Sequence, residues 1–107
     1  MRAQFHNMDN RWHANVYVVW GRSFDAAPAR LGVSPETFDA LTEPLVRDLI
    51  EDPERYAVAA GTRWREAPLK MPDGTALCVR YTVAADPDGG TRVTLDHVTV
   101  PDRAVAP

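Results

Sequence analysis

Leu77, Val79, Tyr81 and Val83 alternate with Cys78, Arg80 and Thr82. A two-residue period sends the two sets to opposite faces of an extended chain, so this stretch buries its apolar set as a half-covered β-strand. Its flanks define its neighbours. Pro72-Asp73-Gly74 before it and Asp86-Pro87-Asp88-Gly89-Gly90 after it are strong turn signals, and each adjoins another strand pattern. Val93 to Val100 is the later one, stopped by Pro101. Arg63 to Met71 is the earlier one, and Pro68 inside it belongs on a sheet edge or at a bulge. Residues 76–84 and 91–100 are expected to pair as neighbouring antiparallel strands.

The first half has a different rhythm. Asn15-Val16-Tyr17-Val18-Val19-Trp20 is a β-branched and aromatic run closed by Gly21, and its lack of alternation predicts a strand covered on both faces. Ser23 to Leu31 has helical composition, but Pro28 and Gly32 limit it to a short or broken helix. Ser34-Pro35-Glu36 is a better start, with a Ser cap, proline at the first helical position and an acid in the first turn. From there Phe38, Leu41, Leu45 and Leu49 form one apolar stripe expected to face the sheet, widened by Val46 and Ile50. Pro44 lacks the N–H that would bond to Ala40, so a kink or split is expected there.

The order is thus strand, helices, then a three-stranded antiparallel meander, an α+β fold with the helices packed on one face. Residues 15–100 form one domain, residues 1–14 an N-terminal arm or edge strand, and residues 101–107 a frayed tail. The 107 residues suffice for one core. Cys78 is the only cysteine, which excludes an intrachain disulfide and makes a cytoplasmic setting the expectation. Met1 to His6 lacks the apolar run of a signal peptide, and Val16 to Trp20 is far too short to span a bilayer. A net charge of −3 argues against a surface that binds nucleic acid everywhere, while leaving room for a local basic cleft. The first 53 residues carry five basic and eight acidic side chains and the rest carry seven of each, so the acidity lies in the helical half.

The element order, the helix ending Leu49-Ile50-Glu51-Asp52-Pro53, and the hairpin from Trp64 through Gly74 to Cys78-Val79-Arg80-Tyr81-Thr82-Val83 resemble the RelE/ParE family of bacterial toxins. Val93-Thr94-Leu95-Asp96-His97-Val98 resembles that family's final strand. The resemblance implies a toxin that cuts messenger RNA on the ribosome with basic residues on the sheet, or one that poisons DNA gyrase. Either kind is neutralised by an antitoxin partner. Lys70 matches a basic residue before the hairpin turn. The family's arginine in the next strand falls at Cys78, and Arg80, two residues on and on the same strand face, is the replacement charge. The segment from Pro101 to Pro107 offers no tyrosine or histidine such as nuclease members carry.

Cleavage of RNA at a ribose 2′-hydroxyl needs a base, an acid and cations that stabilise the charged phosphorane. Arg80, Lys70 and His97 are the candidate catalytic residues, with Arg80 and Lys70 expected on one face within reach of one phosphate. Histidine is the side chain whose ordinary titration falls near neutrality. Arg63, Arg65 and Trp64 are the candidate nucleic-acid contacts, the indole as a stacking platform for a base. The plainer reading makes the cations solvated strand residues paired with Glu66 and Asp73, and His97 a packed strand histidine. His6 and His13, seven apart around Asp9, fall short of a zinc site, and no metal or cofactor is assigned. Cys78 between Leu77 and Val79 reads as packing. A non-enzymatic domain binding another protein through its helices or a sheet edge is the alternative function.

Overall fold

In the computed structural model, which describes residues 2–5, 16–87 and 89–100, the last strand lies at the middle of the sheet. The elements are β1 (Arg2–Phe5), β2 (Val16–Trp20), α1 (Arg22–Asp25), α2 (Ala27–Leu31), α3 (Pro35–Glu51), β3 (Arg65–Lys70), β4 (Ala76–Ala85) and β5 (Thr91–Thr99). The sheet order is β1-β2-β5-β4-β3. β5 runs antiparallel to β4, with Val83 opposite Val93, as the turn-rich connection requires. Its other edge pairs parallel with β2, Val18 opposite Val93. β3 pairs antiparallel with β4 and is an outer strand, which suits Pro68 and its missing N–H. β1 lies at the opposite edge, antiparallel to β2. The expected tail at 101–107, and His6, Asp9 and His13, lie outside the described residues.

The fold is α+β, and the helices bury their apolar residues against one face of this mixed sheet. Val16, Val18 and Trp20 from β2, Leu77, Val79 and Tyr81 from β4, and Val93, Leu95 and Val98 from β5 form the sheet side of the core. Phe24, Ala27, Phe38, Leu45, Val46, Leu49 and Ile50 form the helical side. β2 departs from expectation: Tyr17 and Val19 are only half-buried, so the run without polar residues is covered fully on one face alone.

The start of α3 is built as its residues dictate. Thr37 N–H donates to Ser34 Oγ at 3.1 Å, and Pro35 takes the first turn. The helix then runs through Pro44 to Glu51 as one element, without the split, one of the two outcomes expected there. Pro44 is exposed, so its ring meets no core neighbour and the helix loses only a backbone bond there. Phe38, Leu45 and Leu49 of the expected stripe are buried, with Val46 and Ile50, and only Leu41 departs from it. Leu41 is half-buried, and Thr42 takes the inner place at 2 % exposure, its hydroxyl donating to the Phe38 carbonyl at 3.1 Å. Among the described residues, no helix is long and apolar enough to cross a membrane.

Two contacts set the helices over the sheet. Tyr81 is fully buried, and its hydroxyl donates to the Pro53 carbonyl at 3.1 Å, tying the chain beyond α3 to β4. Burial pushes the Tyr81 phenol up from its ordinary range. At the other end, Gly21 N–H donates to the Leu95 carbonyl at 2.9 Å. A Cβ on Gly21 would lie 2.9 Å from that oxygen, so the absence of a side chain lets β2 turn into α1 hard against β5.

Candidate functional site on the open face of the sheet

The face of the sheet away from the core carries the polar half of each alternating strand. On β3, Ala67 points to the core, and Glu66, Pro68 and Lys70 point the other way. On β4 the outward set is Cys78, Arg80 and Thr82. β5 joins this face through an irregularity. Arg80 is opposite His97 and Tyr81 is opposite Leu95, so Asp96 is an extra residue between the pairs. The bulge restores Val98 to the core beyond it and leaves His97 beside Arg80.

Glu66, Arg80 and His97 therefore occupy one cross-strand row over three adjacent strands. Arg80 Nε donates to Glu66 Oε2 at 3.0 Å. The two side chains are 40 % and 38 % exposed, and pairs this open contribute only about 0–1 kcal/mol, so an incoming anion can share the guanidinium at little cost. Trp64, just before β3, closes one side of the row. Its ring centre lies 5.8 Å from the Arg80 guanidinium carbon and 6.0 Å from the His97 ring, nearly edge to face with the imidazole. Trp64 is set by its loop: its N–H donates to Thr62 Oγ1 at 3.1 Å and its carbonyl accepts from Ala59 N–H at 2.8 Å. On the far side, His97 Nδ1 lies 3.2 Å from Ser23 Oγ on α1. Thr82 Oγ1 donates to Asp96 Oδ2 at 3.5 Å below the row.

Three of the six predicted residues, Arg80, His97 and Trp64, thus meet. Lys70 shares the open face but lies four residues along β3 from Glu66, about 13 Å at ~3.3 Å per residue. It stands apart from the cluster instead of doubling Arg80 on one anion. Arg63 is exposed in the loop ahead of β3. Arg65 is not a groove residue. Strand alternation turns it to the helical side, where Nη1 donates to the Tyr56 carbonyl at 2.7 Å. That bond fastens the segment after α3, a structural task.

Cys78 flanks the cluster, half-buried opposite Pro68 and Thr99. Burial pushes its thiol up first and the Glu66 carboxylate adds to this, while Arg80 and Thr99 pull the other way. The net rise keeps it in the unreactive thiol form, consistent with packing. Among the described residues, no three His, Cys, Asp or Glu side chains are grouped to hold a metal ion. A cavity of about 370 Å³ among the helices, lined by Asp25, Pro28, Val33, Phe38 and Asp39, is separate from this row.

Glu66 is the neutralising partner expected for a strand arginine, and in the structure it pairs with Arg80. Its even spacing with Pro68 and Lys70, against Ala67 and Leu69, is the signal that places it on the open face. Compared with family models, with curated proteins and with solved structures, the chain matches none.

Proposed function

We propose that the chain is a RelE/ParE-like toxin that cleaves RNA on the open face of its sheet. One observation carries this reading: a carboxylate, a guanidinium and an imidazole stand in a single cross-strand row beside an indole. Those are the groups that in-line transesterification requires. The Glu66 carboxylate takes the proton of a ribose 2′-hydroxyl, and the freed oxygen attacks the adjacent phosphorus. Arg80 lies between the acid and the base and binds the non-bridging oxygens as charge builds on them. Protonated His97 gives its proton to the departing 5′-oxygen as the P–O5′ bond breaks. The products are a 2′,3′-cyclic phosphate and a 5′-hydroxyl. Trp64 stacks a neighbouring base, a contact that tolerates any sequence. Lys70 and Arg63 contact phosphates further along the strand. The neutralising partner of such a toxin is an antitoxin protein.

The test is a short single-stranded RNA with one 2′-deoxy position, presented to the protein alone and with ribosomes. Wild-type protein should cut at ribonucleotides and spare the deoxy linkage, and Glu66→Gln should lose the cut while keeping its fold by circular dichroism. Cutting at the deoxy linkage would rule out attack by the 2′-oxygen. No cutting in either setting would favour the non-enzymatic alternative, a protein-binding domain, for which β1 and the part of β3 beyond the Val58 bridge to Arg65 supply outer edges of the sheet.

A further inference from the structure

We infer that Ser23 is the positioning residue for His97, fixing which ring nitrogen meets the leaving group. The inference rests on the RNA-cleavage reading of the Glu66–Arg80–His97 row and extends it to a residue on another element. His97 Nδ1 lies 3.2 Å from Ser23 Oγ. When the imidazole is protonated both its nitrogens carry hydrogens, so the hydroxyl can only accept, and Nδ1–H is the donor. The contact engages Nδ1 and leaves Nε2–H as the proton to be given. After transfer to the 5′-oxygen, the neutral ring retains Nδ1–H on Ser23 and presents a bare Nε2. That is the state needed to take a proton from water when the cyclic phosphate is later opened, so one hydrogen bond serves both half-reactions.

The backbone is arranged to make this contact. Gly21, bonded to Leu95 and too close to it for a side chain, delivers α1 to the flank of β5. Phe24 anchors α1 in the core at 0 % exposure, which leaves its neighbour Ser23 outside it, toward His97. The extra residue Asp96 sets His97 at the height of Arg80. Trp64, from the loop before β3, meets the ring in a T-shaped contact, centres 6.0 Å apart. The imidazole is thereby met by a hydroxyl at one nitrogen and by an indole steeply inclined to its plane.

Nitrogen-15 NMR of His97 in full-length wild type, Ser23→Ala and Ser23→Thr tests this without depending on activity, alongside kcat and KM on a short RNA. On this inference Ser23 Oγ is the acceptor for the neutral ring as well, so in wild-type protein the Nδ1–H form should dominate, and Ser23→Ala should move the ring toward the Nε2–H form that free histidine prefers. The alanine variant should lose about fivefold in kcat, roughly what one ordinary hydrogen bond is worth in rate, with KM little changed. Ser23→Thr should restore both readouts. A tautomer that ignores Ser23→Ala overturns the inference whether or not RNA is cut. A tautomer that moves while kcat holds overturns the catalytic purpose of the contact. A correct tautomer in a protein that cuts no RNA overturns the nuclease reading instead, leaving the orientation of the ring established.

Discussion

β4 carries two surfaces on one strand. Leu77, Val79 and Tyr81 are at most 2 % exposed and meet the helices, whereas Cys78, Arg80 and Thr82 between them are half-buried on the other side. The inward set is closely packed and apolar, with one phenol bonded to one carbonyl. The outward set supplies Arg80, which pairs with Glu66 of β3 and lies beside the bulge-placed His97 of β5 and the Trp64 indole. Stability resides mainly in the first surface, because apolar burial contributes about 25 cal/mol per Å² while an exposed ion pair contributes little. Chemistry has room on the second because little of the fold depends on it.

The sharpest way to break that contrast is a core truncation set against a site truncation. Phe24 is fully buried, its ring 5.2 Å from Phe38. Phe24→Ala should cost about 3–5 kcal/mol in urea unfolding, and a loss under about 1 kcal/mol would mean the helical face is not the stabilising one. Arg80→Ala should do the reverse. On the proposed reading RNA cleavage should fall about 10²–10³-fold, the usual loss for a transition-state donor, with unfolding free energy changed by less than about 1 kcal/mol. Equal losses of activity and stability would make Arg80 a structural residue.

Two smaller effects sharpen the contrast from each side. The Tyr81 phenol is raised in the folded state, so its contribution to stability is complete below the unfolded value of about 10 and is lost as pH rises through the folded value. Tyr81→Phe should cost about 1–2 kcal/mol near neutral pH by leaving the Pro53 carbonyl without its donor. Unfolding followed by fluorescence from neutral to strongly alkaline pH should show a fall in the wild type that is shallower in this variant. On the outer face, Cys78 should react slowly with iodoacetamide at mildly alkaline pH. Glu66→Gln should speed it modestly, because the carboxylate holds the thiol up and Arg80 holds it down. A slower reaction in that variant would contradict the assigned electrostatics.

Much of the site was legible, though by a different route than a search for cations. Arg63, Arg65, Lys70 and Arg80 are similar in composition yet end in different places. Arg80 and Lys70 follow their strands' period to the open face. Arg65 is an odd residue among Ala67 and Leu69, so the same period sends it to the helices, where it holds Tyr56. Glu66 was readable by that rule. Ser23 was not, since 74 positions separate it from His97 and no pattern links them.

The sequence alone determined what neighbours along the chain decide. The alternation at Leu77 to Val83, the turns at Gly74 and Gly89, and the Ser34-Pro35 start of α3 set β3, β4, β5 and the helix, because each is a local preference with one outcome. Pro44 and Thr42 mark where local preference yielded: packing along a 17-residue helix kept it whole and put Thr42 in place of Leu41 on the buried side. The tertiary structure alone decided that β5 lies between β4 and β2, parallel to the latter. It also decided that the bulge places His97 beside Arg80, and that α1 brings Ser23 to the ring. Each joins segments far apart in the chain, and their pairing is settled by which arrangement buries the most apolar surface at once, a quantity that belongs to no single stretch of residues.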